Sequence, residues 1–287
     1  VTIRNPIEWG ADQVKSAAQA IEEAGKAVYH PAEGLDSLRP KIHRIAASDL
    51  TGVLAAGFAD FAACRTDVLF IGLLYPIIGL ILEQLAFGQN WTHLLFPIAS
   101  GFALVGPFAA TGLYEMSRRR EQGKSATWAD ALDVFRSPSF GAILVLGVIL
   151  ITLYVLWIFA AETIYGFAFG ADPPASITAF AHDVFATSAG WAMVVVGVGV
   201  GFLFALLAMA ISVVAFPLLV ERPVGVDTAI WTSVRAVTAN PVPMALWGLI
   251  VTAGLVLGAL PAFAGLIVVL PVLGHATWHL YRVLVAR

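Results

Sequence analysis

All sixteen Lys and Arg residues lie between Arg4 and Arg65, between Arg118 and Arg136, between Arg222 and Arg235, or at Arg282 and Arg287. The three intervals between these stretches contain neither residue, are strongly apolar, and are each long enough for a helix to cross a bilayer and return. A spanning helix needs roughly 20 apolar residues, because the hydrocarbon core is about 30 Å thick and a helix rises about 1.5 Å per residue. Lys and Arg concentrate in cytoplasmic loops. Placing every basic stretch on that side gives three helical hairpins, six spans and two cytoplasmic ends. The expected fold class is therefore all-α, a polytopic membrane protein with six transmembrane helices.

Composition agrees. The chain is 59% hydrophobic and 12% charged, with a mean hydropathy of +0.86, outside the range of soluble globular domains. A net charge of -3 and the absence of a long basic run give no reason to expect nucleic acid as a partner; the expected partner is the lipid bilayer. Cys64 is the single cysteine, so an internal disulfide or a cysteine-based metal site is not expected. The polar, Ala/Glu-rich start has no signal-peptide pattern.

The first span is placed at about 68–87 and its return at about 94–116, after an outer loop with Asn90, Trp91 and His93. The second hairpin leaves over about 140–161 and returns over about 191–219. Between them, Asp172-Pro173-Pro174 precedes an apolar stripe at Ile177, Phe180, Ala181 and Val184, the spacing of a short interfacial helix. The third hairpin leaves at about Pro243, turns near Pro261–Gly265 and returns through Pro271 to about Tyr281. Trp91, Trp191 and Trp278 fall near span ends, as an interfacial aromatic belt requires. Residues 1–45 form a separate cytoplasmic extension, either an amphipathic helix over Ile7–Tyr29 or a mobile tail. Residues 46–287 form the membrane domain.

Each hairpin is preceded by an amphipathic stretch: Leu50, Leu54, Phe58 and Phe61; Trp128, Leu132 and Phe135; Ile230, Val234 and Val237. Ser137-Pro138 and Asn240-Pro241 punctuate the second and third at matching distances, since proline disfavours helical geometry in the residue before it. The returning helices share a proline, an aromatic residue and a terminal arginine: Pro107, Tyr114 and Arg118 against Pro271, Trp278 and Arg282. Three pseudo-repeated units are expected, at about 48–120, 126–222 and 226–287, around an axis along the membrane normal.

Several runs resemble the bacterial integral membrane family catalogued as domain of unknown function 2189. They are Asp49-Leu50, Gly57-Phe58-Ala59-Asp60-Phe61, Leu69-Phe70, Gly72-Leu73-Leu74-Tyr75-Pro76, Phe96 through Phe108, Ser137-Pro138-Ser139 and Pro271 through Tyr281. The resemblance covers about residue 40 to the end. It implies a bacterial inner (cytoplasmic) membrane protein and supplies no activity; cytochrome-oxidase labels on some relatives point toward respiratory complexes.

His275 and His279 are one helical turn apart on one face of the last span, a spacing that lets two imidazoles share a metal. The other reading has His275 hydrogen-bonded to a neighbouring helix and His279 reaching the headgroups. Glu115 occupies the repeat position equivalent to His279, so Glu115, His275 and His279 are expected to form a polar cluster at the cytoplasmic mouth. Glu83, Glu115 and Glu162 lie near span ends and are expected to snorkel, since an ionised group at mid-bilayer costs roughly 2.5–3.5 kcal/mol. Gly197 and Gly201 form a GxxxG pair suited to close helix packing. No Ser/His/Asp set, HExxH or CxxC motif appears, so no catalytic residues and no cofactors are expected. Three functions remain open: a non-catalytic structural or accessory subunit of a larger respiratory or photosynthetic membrane complex, docked on other membrane-protein subunits; a channel or facilitator for a small neutral or apolar solute; and a metal- or haem-handling enzyme built on the two histidines.

Overall fold

A computed structural model describes residues 40–64, 92–170, 172–261 and 263–286. Within these residues the regular structure is helical, apart from one isolated antiparallel bridge between Ile42 and Val285. Helix α1 covers residues 49–64. A 3₁₀ turn at Thr92–Leu94 leads into α2 (Leu95–Ala109), which continues after Ala110 as α3 (Thr111–Glu121). Then come α4 (Trp128–Ala131) with a 3₁₀ turn (Leu132–Arg136), α5 (Phe140–Phe169), α6 (Ile177–Ala186) and α7 (Ser188–Ser212). The chain ends with α8 (Ala215–Glu221), α9 (Val226–Ala239), α10 (Pro241–Ala259) and α11 (Leu266–Leu284).

Five stretches among the described residues are long and apolar enough to cross a membrane: Leu95–Glu121, Phe140–Phe169, Ser188–Glu221, Pro241–Ala259 and Leu266–Leu284. They match the second to sixth spans read from the sequence. The first, at about 68–87, lies outside the described residues. Two boundaries move. Helix α5 runs to Phe169, 30 residues or about 45 Å, because nothing breaks the helix before Gly170, whose φ of 89° suits only glycine. Helix α7 stops at Ser212. The ring of Pro217 conflicts with a helical carbonyl four residues earlier, at Val213, and the chain turns at Val213–Val214 before α8. The Val214 amide exposed by this break donates to Ser233 Oγ of α9 at 3.2 Å.

Helix α5 is the central strut, with α2 and α7 packed on it; α3 and α10 pack on α11. Its inward stripe is Ile143, Leu146, Leu150, Leu153, Trp157, Ala161 and Tyr165, the three-and-four alternation of one helix face. Trp157 Nε1 donates to the Pro97 carbonyl at 3.0 Å. Gly101 makes this approach possible, since a Cβ there would lie 2.2 Å from the Tyr154 ring. The core is densest at the end where the described Lys and Arg residues gather: every residue of α8 from Ala215 to Val220 is buried, as are Trp278, Leu280 and Tyr281. Trp278 therefore does not belong to a lipid-facing belt. Its ring packs on Tyr281, and its indole N–H donates to Glu121 at 3.2 Å.

Residues 40–46 are tied to the other end of the chain. His43 N donates to Leu284 O, and Ala286 N donates to Lys41 O. Asn240, read from the sequence as helix punctuation, is buried and bridges the same segment. Its Nδ2 donates to the carbonyls of His43 and Ala236, and its Oδ1 accepts from Ile45 N.

Helix α1 lies on α11 through Gly57. A Cβ there would meet the backbone nitrogen and Cβ of Ala276 at 2.6 Å, whereas one at Gly52 on the same helix would meet nothing. Gly57→Ala is therefore expected to destabilise the detergent-solubilised protein by about 1–3 kcal/mol through overpacking. Gly52→Ala is expected to stabilise it by about 0.5–1 kcal/mol through helix propensity. Thermal unfolding followed by circular dichroism checks both.

Candidate functional site: a buried polar clamp

The inward face of α1 is Leu50, Val53, Gly57, Asp60 and Cys64, all buried. It is rotated from the expected Leu50, Leu54, Phe58, Phe61 stripe, and Phe58 stands exposed. The rotation carries a carboxylate into the protein. Asp60 Oδ2 accepts from Ser117 Oγ at 2.6 Å and from His279 Nε2 at 2.8 Å; Oδ1 accepts from Arg120 Nε at 2.8 Å. One carboxylate of α1 thus takes donors from both α3 and α11. Burial pushes the Asp60 carboxyl up, but the hydrogen bonds from His279, Ser117 and Arg120 outweigh burial and hold it at about 2.

Ser117 and His275 are both fully buried, with Ser117 Oγ 2.8 Å from His275 Nδ1. The single hydroxyl proton of Ser117 goes to Asp60, so His275 Nδ1 carries the hydrogen and donates to Ser117 Oγ. His275 Nε2 is left buried without a hydrogen-bond partner. The serine proton points at a carboxylate rather than at an imidazole, the reverse of the order that activates a serine nucleophile.

His275 and His279 therefore share one network, linked through Asp60 and Ser117. This network engages His275 Nδ1 and His279 Nε2, and no group of three or more His, Cys, Asp or Glu among the described residues is placed to hold a metal ion. His279 bonds Asp60 rather than reaching the headgroups, while His275 does bond a neighbouring helix.

Glu115 belongs to a separate network on another side of α3. It is buried and does not snorkel. Arg118 holds it in a two-pronged grip at 2.7 and 2.8 Å, and Arg119 adds a third contact at 3.2 Å. Arg119 also pairs with Asp130 at 2.8 Å and with Asp133, which anchors α4. Such pairing offsets much of the cost of burying the Glu115 charge. No hydrogen bond or ion pair among the described residues joins Glu115 to His275 or His279. A third network gathers Glu121, Glu221, Tyr281 and Arg282, in which Arg282 bonds Glu121 at 3.1 Å and Glu221 at 2.7 Å, and Tyr281 donates to Glu221. At the opposite end Glu162 is half exposed and pairs with His93 at 2.8 Å, and the His93 ring stacks on Tyr165. Glu83 lies outside the described residues.

Asp60, Ser117 and Arg120 are the members that sequence reasoning missed. The available signal was the spacing Val53, Gly57, Asp60, Cys64, which places the acid in line with small residues on one helix face.

Residues 95–221 match the model of the family described as predicted integral membrane protein (DUF2189). Over that stretch the chain is similar to this family. The Phe96–Phe108 run and Ser137-Pro138-Ser139 fall inside the DUF2189 match; the quoted runs around 49–61, 69–76 and 271–281 lie outside it. The matched part supplies Ser117, Arg120, Glu115 and Glu221, whereas Asp60, His275 and His279 come from the flanking parts. No curated protein and no solved structure matches the chain.

A carboxylate whose folded pKa is depressed contributes stability that is complete above its unfolded value, near 3.8, and is lost as pH falls through its folded value. Asp60→Asn is therefore expected to lower the unfolding temperature by a constant amount at pH 5–8. The gap from the native chain should close between about pH 4 and pH 2. Parallel thermal melts across that range check the sign.

Proposed function

We propose that the chain is a non-catalytic integral protein of the bacterial inner membrane, with six spans and both termini on the cytoplasmic side. In this reading it acts as an accessory subunit of a larger membrane complex, respiratory assemblies being the first to examine. The six spans are the five described stretches plus the one at about 68–87, arranged in the three pseudo-repeated units. The gathering of the described basic residues at one end of the bundle supports a common cytoplasmic side.

The observation that carries the accessory role is the open face of α7. Only 6% of the most apolar window of Ser188–Glu221 is buried, against 39% for Phe140–Phe169 and 44% for Leu266–Leu284. Exposed Val195, Val198, Phe202 and Leu206 stand on this helix, and among the described residues nothing lies within 4 Å of a Cβ placed at Gly199, which is in line with them. Gly201, half of the GxxxG pair with Gly197, is already used inside the chain, where a Cβ would lie 3.0 Å from Trp157. Lipid tails give apolar helices no hydrophobic reason to associate, so helix pairing in membranes relies on close approach at small residues. Gly199, in line with Val195, Val198, Phe202 and Leu206, leaves a notch in a bulky apolar face, the shape that receives another helix.

Gentle extraction from native membranes followed by mass spectrometry tests the reading. A membrane-protein partner in stoichiometric amount is expected, together with its loss in Gly199→Ile at unchanged monodispersity. Recovery of a lone monodisperse protein from native membranes contradicts it.

A further inference from the structure

Two cavities of about 250 and about 390 Å³ adjoin at the basic end of the bundle and share Arg118, Glu221 and Arg222 in their walls. The smaller one lies among the end of α3, the turn before α5 and the residues after α8. Four arginines face it against three carboxylates. Those carboxylates are already engaged. Glu115 accepts from Arg118 and Arg119, Asp133 from Arg119 and Arg136, and Glu221 from Arg222, Tyr281 and Arg282.

What remains around the cavity is donor capacity. Arg118 uses Nε and Nη2 on Glu115, which leaves Nη1. Arg222 uses Nε on Glu221 and Nη2 on the Ala286 carbonyl, again leaving Nη1. Arg136 has an 87% exposed side chain whose one ion pair among the described residues, to Asp133, is 3.4 Å long. Ser137, Ser139 and Ile143 form a further wall, so the positive end of the 30-residue helix α5 borders the same space. Unspent guanidinium donors from three directions match the oxygens of a phosphate group.

The surroundings suit a lipid. Ile143, Val134 and Val220 give the cavity an apolar side. The exposed residues Leu144, Val148, Ile151 and Val155 of α5 begin at the same level and offer acyl chains a track. Basic pockets between spans are places where anionic headgroups bind.

We propose that this groove binds a phosphate oxyanion, as carried by the headgroup of an anionic membrane lipid. Native mass spectrometry of the full chain tests it with dioleoylphosphatidylglycerol, dioleoylphosphatidylcholine and inorganic phosphate as separate probes. Saturable preference for the phosphatidylglycerol is expected, weakened about tenfold in Arg136→Ala, the worth of one charge-assisted contact. It should be unchanged in Arg235→Ala, whose guanidinium lies over Trp231 and outside the groove. Displacement of the lipid by inorganic phosphate supports the same site by an assay of the native chain alone. Saturable phosphate binding without lipid preference also supports the site and names a free anion as its source. Equal retention of the two lipids with no phosphate binding overturns the proposal, as does an Arg136→Ala chain that binds like the native one.

Discussion

Asp60 is where three parts of the chain meet. Helices built for lipid have little driving force to prefer one neighbour over another, so their relative positions must be set by directional contacts. Asp60 supplies three of these at once, reaching Ser117 and Arg120 on α3 and His279 on α11. Directly beneath, Gly57 lets α1 rest on Ala276. A helix that could otherwise slide on the bilayer surface is thereby held to two spans.

The same solution recurs around that end. Glu115 is held by Arg118 and Arg119, Arg119 reaches α4 through Asp130 and Asp133, and Arg282 joins α3 to α8 through Glu121 and Glu221. Asn240 and the pairing of residues 41–43 with 284–286 close the ring. Each group satisfies another's charge or hydrogen bond, which is the condition for burying polar groups without loss. Among the described residues, the opposite halves of α7 and α10 show no such ring of ties and carry exposed apolar side chains such as Val198, Phe202, Leu249 and Val256. The described part of the molecule is thus a polar plate with apolar struts; the plate carries the arginine groove and the struts present exposed apolar side chains.

Much of this is written in the sequence at the level of segments. Charge placement located the five candidate spans found among the described residues, and Asn240-Pro241 marked the start of α10 because proline is tolerated at the first helical position. Which faces turn inward is far less legible. Helix α5 is apolar all round, so Leu150 in the core and Val148 in contact with the surroundings look alike in the sequence although one is buried and the other exposed. The histidine pair was legible from its spacing, but its partners were not. Asp60 lies 215 and 219 positions from His275 and His279, and only the fold brings α1 onto α11. Glu115 was misjudged for a related reason: its neutralising arginines were visible at three and four positions on, yet whether the group faced lipid or protein depended on α4 folding back over α3.

The central claim is that Asp60 and His279 act together to fix α1 on the last span. A double-mutant cycle of Asp60→Asn and His279→Gln, followed by thermal unfolding in detergent at pH 6, measures that directly. Coupling of about 0.5–3 kcal/mol is expected for groups in one hydrogen-bond network. Single-mutant effects that simply add, within about 0.3–0.5 kcal/mol, would contradict the account.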